Sequence, residues 1–126
     1  MDEERLRQRR INAVRKVEKP WGYELWWAYT EKYVGKILFI RKGHSLSYQF
    51  HRVKDETFYL QKGTMILEIE DEGKPKEVIK ILPGDSVRIT PLTKHRMTAV
   101  EDCYVLEVST PEVDDVVRLE DRYGRV

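Results

Sequence analysis

Only one cysteine, Cys103, occurs among the 126 residues, so no disulfide can close within the chain, and a reducing compartment is expected. The sequence lacks any apolar run long enough to span a membrane, and its N-terminus is charged where a secretory signal would be apolar. We therefore expect a cytoplasmic protein with no membrane partner. Charge of one sign is lacking too: 23 Lys and Arg face 22 Asp and Glu, for a formal net charge of +1. A large uniformly basic face is excluded on those counts, and nucleic acid is not expected as a partner. Asparagine occurs once, at Asn12, amid abundant Lys, Arg and Glu, a weak thermophilic bias. No repeat, low-complexity tract or linker interrupts the chain, and its length suits one domain able to bury a core without staples.

Residues 2–16, DEERLRQRRINAVRK, form the one stretch with helical character, acidic residues leading and basic residues following as the helix dipole favours. Leu6, Ile11 and Val14 give it only a narrow apolar stripe, so residues 1–16 read as a solvated arm, with Arg7, Arg9 and Arg10 its basic cluster. From residue 17 to 126 the signals change to short strands: Tyr23–Ala28, Val34–Ile40, Ser45–His51, Thr57–Gln61, Thr64–Glu70, Glu77–Leu82, Ser86–Thr90, His95–Val100 and Cys103–Ser109. Glycine and proline punctuate them at short intervals, which predicts an all-β sandwich or barrel. Cys103 lies in an apolar run and reads as a buried, inert thiol. The charged segment 114–126 has weak helical character and is expected to pack across the outside.

Histidine is scarce as well, at three residues, and two of them fall in one spaced pattern. In GHSLSYQFHRVKDETFYLQKG, Gly43 is followed by Gln49, His51, Glu56 and Gly63. Positions i and i+2 of a strand share a face, so Gln49 and His51 can meet one ion, and a short turn at Arg52–Asp55 can return Glu56 beside them. A second cluster, PGDSVRITPLTKHRM, delivers His95 after two turns. Two imidazoles, a carboxylate and an amide oxygen make a mixed set suited to one divalent Mn, Fe, Co, Ni or Zn ion, with positions left for substrate. Ser45, Ser47, Gln49 and His51 share one side of their segment, predicting a polar cavity wall; Leu46, Tyr48 and Phe50 share the other.

These two clusters resemble the first and second motifs of the cupins, which implies a single-domain double-stranded β-helix, or jelly-roll barrel, here with a short N-terminal helix and a C-terminal tail. Glutamine in place of the first motif histidine, within Leu46-Ser47-Tyr48-Gln49-Phe50-His51, is similar to the cupin domain of the type II mannose-6-phosphate isomerases. Lys19-Pro20-Trp21-Gly22-Tyr23-Glu24 is similar to the entry motif of that branch, and residues 114–125, DDVVRLEDRYGR, to its C-terminal signature. The likeness runs from Val17 to Arg125. Arg52, Val53, Lys54 and Asp55 stand where the branch has histidines and an arginine, and Thr57-Phe58 where it has His-Trp.

What the resemblance implies is a metal-dependent interconversion of mannose 6-phosphate and fructose 6-phosphate, without the GDP-mannose-forming activity of the fused nucleotidyltransferase domain that many members carry. A metal on Gln49, His51, Glu56 and His95 would act as Lewis acid, Glu56 is the candidate base, and Arg88, Arg96 and Lys36 are candidate phosphate ligands. Another metal-dependent cupin enzyme, an epimerase or oxygenase, and a non-catalytic sugar-binding cupin are the competing readings. Leu46, Tyr48 and Phe50, expected to point out of the barrel, predict a homodimer through that face, the alternative cover being the chain's own N-terminal arm or the 114–126 tail.

Overall fold

The computed structural model describes residues 2–9 and 14–126. After a short helix α1 (Glu3–Arg9) come eleven strands: β1 (Arg15–Lys19), β2 (Gly22–Tyr29), β3 (Val34–Ile40), β4 (Tyr48–Phe50), β5 (Glu56–Lys62), β6 (Met65–Glu70), β7 (Glu77–Ile81), β8 (Ser86–Ile89), β9 (Lys94–Ala99), β10 (Cys103–Ser109) and β11 (Val117–Glu120). They form two antiparallel sheets, ordered β1-β2-β3-β10-β5-β8 and β11-β4-β9-β6-β7. Among the described residues no helix is long and apolar enough to cross a membrane.

Inward-facing residues change character along each strand, and that change divides the interior. On β3 they run Ile40, Leu38, Lys36; on β10, Cys103, Val105, Glu107; on β9, Ala99, Met97, His95. The registers Ile40↔Cys103, Leu38↔Val105↔Leu60 and Lys36↔Glu107 set like beside like. One end of the barrel is therefore a closed apolar core with Trp21, Phe58, Met65, Leu67 and Ile89, and the other is a polar cavity. Gly63 ends β5 with φ 98°, and a Cβ there would lie 2.3 Å from the Asp102 carbonyl oxygen, so no side chain fits. Cys103 is fully buried, as expected, and that burial pushes its thiol up to about 11.

Four expectations need correction. The helix is described over Glu3–Arg9, and Arg15 and Lys16, expected to be helical, belong to β1, where pairing with Trp26 and Leu25 of β2 outweighs local helix preference. Arg10 and Ile11 lie outside the described residues. The segment 114–126 is a partner strand as well as an outer wrap: β11 pairs with β4 through Val117↔Phe50 and Arg118↔Gln49, supplying hydrogen bonds that the edge of β4 would otherwise lack. Only Tyr48–Phe50 of the expected Ser45–His51 strand is regular. Ser45 bridges Thr98 and Leu46 N donates to Met97 O, and in that irregular stretch Leu46 turns onto the core while Ser47 also lines the cavity.

The outward apolar row of Leu46, Tyr48 and Phe50 consequently does not form. Tyr48 is 7% exposed; its hydroxyl donates to Glu70, and Lys76 and Arg96 lie over its ring. Apolar side chains gather instead on the outer face of the larger sheet. Tyr23, Phe39 and Tyr104 form one cross-strand row with ring centroids 5.2 and 5.0 Å apart, and Leu25, Ile37 and Leu106 form the next. Trp27 lies over Gly35 and Val108 stands opposite that glycine, at 47% and 52% exposure.

Candidate metal centre

His51 leaves β4, Glu56 opens β5 and His95 lies on β9, so three separate elements deliver three side chains to one point. One ligand atom from each lies within 4.8 Å of the others, and all three residues are buried. Glu56 Oε1 stands 3.3 Å from His51 Nε2 and 3.2 Å from His95 Nε2. The far side of each ring fixes its tautomer. His51 Nδ1 is 2.6 Å from the Asp115 carbonyl oxygen and His95 Nδ1 is 3.0 Å from that of Thr93. A carbonyl oxygen can only accept, so each Nδ1 carries a proton and each ring turns its Nε2 toward Glu56 Oε1. At these distances each Nε2 can meet Glu56 directly or a cation placed among the three, and two imidazoles with a carboxylate suit a divalent transition metal.

Gln49 reaches the same wall from β4. It is in register with His95 and lines the cavity, and its Oε1 accepts a 2.6 Å hydrogen bond from Ser47. The loop between His51 and Glu56 is held by one residue. The Asp115 carboxylate accepts from the backbone N–H groups of Arg52, Val53 and Lys54 at 3.0, 2.7 and 2.9 Å. Those bonds, Lys54 foremost, hold the Asp115 carboxyl at about 2. Leu92 N donates to His51 O at 2.7 Å, which ties the turn before His95 to the same loop.

Behind the centre runs a chain of buried charges. Lys54 Nζ lies 3.1 Å from Glu56 Oε2 and 3.7 Å from Glu107 Oε2, and Lys36 Nζ lies 3.3 Å from Glu24 Oε1 and 4.2 Å from the Trp26 ring centroid. Burial alone would raise the Glu56 carboxyl, but His51, His95 and Lys54 outweigh it and hold it well below the ordinary range. Glu107 is pushed up to about 7 by burial and by the neighbouring Glu56 charge, against the pull of Lys54 and Lys36. Burial would lower Lys54, yet Glu107 and Glu56 raise it above its ordinary value, so it stays an ammonium.

All of this opens on a cavity of about 760 Å³. Of the three cations expected to meet phosphate, Lys36 lines it. Arg88 and Arg96 lie elsewhere, on outer faces of the two sheets: Arg88 binds Asp55 through two nitrogens at 3.1 and 2.6 Å, and Arg96 binds Glu68 at 2.6 and 3.0 Å. Lys54, Glu107 and Glu24 escaped the sequence reading. Lys36 and Glu107 did carry a signal, because a charge at an inward position of an otherwise apolar strand, VGKILFI or CYVLEVS, has to meet a partner. Lys19, Arg118 and Arg125 also line the cavity, from segments that carried no such signal.

No family model matches the chain. The mannose-1-phosphate guanylyltransferase ManC of Salmonella typhimurium is 35% identical over 115 residues, 89% of this chain and 23% of that protein. The chain thus spans about a quarter of the length of the curated relative it matches. The fold is shared with oxalate decarboxylase from Bacillus subtilis, at TM-score 0.76 and 16% identity over 90% of this chain and 32% of that one. It is shared too with KdgF from a Halomonas species, at TM-score 0.67 and 21% identity over 79% of this chain and 90% of that one. With two antiparallel sheets, a His-Glu-His cluster at the barrel's polar end and these relatives, the chain has the cupin fold and resembles the cupin domain of the type II mannose-6-phosphate isomerases.

Proposed function

We propose that the domain is a metal-dependent sugar-phosphate isomerase acting on mannose 6-phosphate and fructose 6-phosphate. The observation that carries this reading is the placement of Glu56 Oε1 between two tautomer-fixed imidazoles beside a large polar cavity. The guanylyltransferase relative, by its name, handles a mannose phosphate, and the oxalate decarboxylase of Bacillus subtilis has Mn(II) centres. His51, His95 and Glu56 would hold the ion, with the Gln49 amide oxygen as a fourth donor. When bound, the ion supplies Lewis acidity toward a substrate carbonyl and its neighbouring hydroxyl.

The remaining work is moving a proton between two adjacent carbons, which needs a base that faces the substrate. Glu56, the base named from sequence, has Oε1 engaged by two histidines and Oε2 by Lys54. Glu107 lines the cavity with Lys54 as its ion-pair partner, at the longer distance of 3.7 Å, and is the carboxylate better free to exchange a proton. Lys54, between the two, stabilises whichever of them is charged. Trp21 and Trp26 wall the same space and help to exclude water.

The test is a coupled assay for fructose 6-phosphate formed from mannose 6-phosphate by protein reconstituted separately with Zn, Mn, Fe, Co and Ni. Activity should vanish on chelation and fall by about a hundredfold or more in Glu56→Gln and in Glu107→Gln, with metal retained in the latter. No turnover with any of the five metals overturns the reaction, and activity surviving both substitutions overturns the assignment of roles.

A further inference from the structure

We propose that Lys19, Arg118 and Arg125 form an anion subsite on the cavity wall that takes the phosphate dianion of the substrate. The inference deepens the isomerase reading and rests on it for the rest of the substrate. The three residues come from different elements: Lys19 ends β1, Arg118 lies on β11, and Arg125 lies in the segment after it. All three line the cavity.

Charge pairing singles them out. Of the cavity's other basic residues, Lys36 is matched by Glu24, Lys54 by Glu56 and Glu107, and Arg15 is exposed with its guanidinium over the Trp26 ring. Arg125 is oriented by two 2.9 Å bonds from Nε and Nη2 to the buried Asp121 carboxylate, which leaves Nη1 to offer. Lys19 and Arg118 form no ion pair among the described residues, and Arg118 Nε is shut from solvent without a hydrogen-bond acceptor. A buried, unanswered guanidinium donor is costly unless a ligand completes it. Lys19 senses its neighbours: its ammonium is lowered by burial and by Lys36, Arg125 and Arg118, against the pull of Glu24. Three cations grouped with Asp121 as their one ion-pair partner are relieved by a doubly charged anion, and the guanidinium fork fits phosphate oxygens.

Position along the sheet gives the subsite its meaning. Arg118 is in register with Gln49, and Gln49 with His95, so the three share one inward-facing row across β11, β4 and β9. Arg118 therefore stands two strand spacings, about 10 Å of backbone separation, from His95. That arrangement fits a phosphorylated sugar with its reacting carbons at the metal and its phosphate at the far end. It also explains why the outward Arg88 and Arg96 are not needed.

The experiment titrates inorganic phosphate alone into the full chain, followed by calorimetry and by ³¹P line broadening, for wild type, Arg118→Gln, Arg118→Lys and Lys19→Gln. Wild type should bind phosphate, Arg118→Gln about tenfold or more weakly, and Arg118→Lys between the two, with metal content unchanged throughout. Lys19→Gln, on an edge strand, carries the test if Arg118→Gln fails to fold. Where mannose 6-phosphate is isomerised, Arg118→Gln should raise KM about tenfold and leave kcat within about threefold. Wild type that binds no phosphate, or variants that bind it as well as wild type, overturns the subsite. Turnover of mannose 6-phosphate untouched by both substitutions overturns it too while leaving the reaction standing. Phosphate binding lost in the variants of a protein that isomerises no sugar phosphate supports the subsite and refutes the reaction.

Discussion

Removing one carboxylate, in Asp115→Ala, should damage both the stability of this domain and its hold on a metal. Asp115 accepts three backbone hydrogen bonds from the loop that joins His51 to Glu56, and its own carbonyl fixes the His51 tautomer. A hydrogen bond to a charged acceptor contributes about 1.5–3 kcal/mol where water cannot replace it, and less where it can. The bonds from Arg52 and Val53 are exposed and that from Lys54 is part-buried, so a total near 3 kcal/mol is expected. In a domain of this size that loss lowers Tm by roughly 10 °C. The folded carboxyl, at about 2, lies below its ordinary 3.8, so the clamp contributes fully above pH 3.8 and is lost as the pH falls toward 2. Urea unfolding of wild type and variant should show a gap at pH 7 that closes between about pH 4 and pH 2. With the loop unclamped, His51 is less well oriented, and metal affinity by competition with a chelator should fall about tenfold. A gap below about 1 kcal/mol at pH 7, or one that persists unchanged into acid, would refute the reasoning.

Purified His51→Ala, His95→Ala double variant should lose nearly all metal uptake from Mn, Co, Ni or Zn while keeping a β-sheet circular dichroism spectrum; uptake at wild-type stoichiometry would disqualify the centre. The homodimer we propose uses the outer face of the larger sheet, not the Tyr48 side, because the rows through Phe39 and Ile37 set apolar side chains next to one another there. Light scattering should give a dimer that Phe39→Glu converts to monomer, and a wild-type monomer at micromolar concentration would end the idea.

Spacing pointed to Gln49, His51 and Glu56 as candidate ligands, because they are near neighbours and strand parity with a short hairpin leaves them few ways to be apart. The barrel was legible for a related reason: period-two apolar runs cut by glycine and proline admit little besides short antiparallel strands. Parity failed at Leu46, where the backbone leaves the regular strand, and with it went the surface chosen for a dimer. Local preference read Arg15 and Lys16 as helix and β11 as a tail, since the partners that make them strands, on β2 and β4, lie roughly 10 and roughly 70 residues away along the chain and no local signal reports them. Arginine shows the limit most plainly. Arg88, Arg96 and Arg118 are alike as letters, yet two face outward onto Asp55 and Glu68 while the third faces the cavity. Which side of a sheet a long cation occupies, and whether a carboxylate waits for it there, is set by the register of strands distant in sequence, and only the folded barrel decided it.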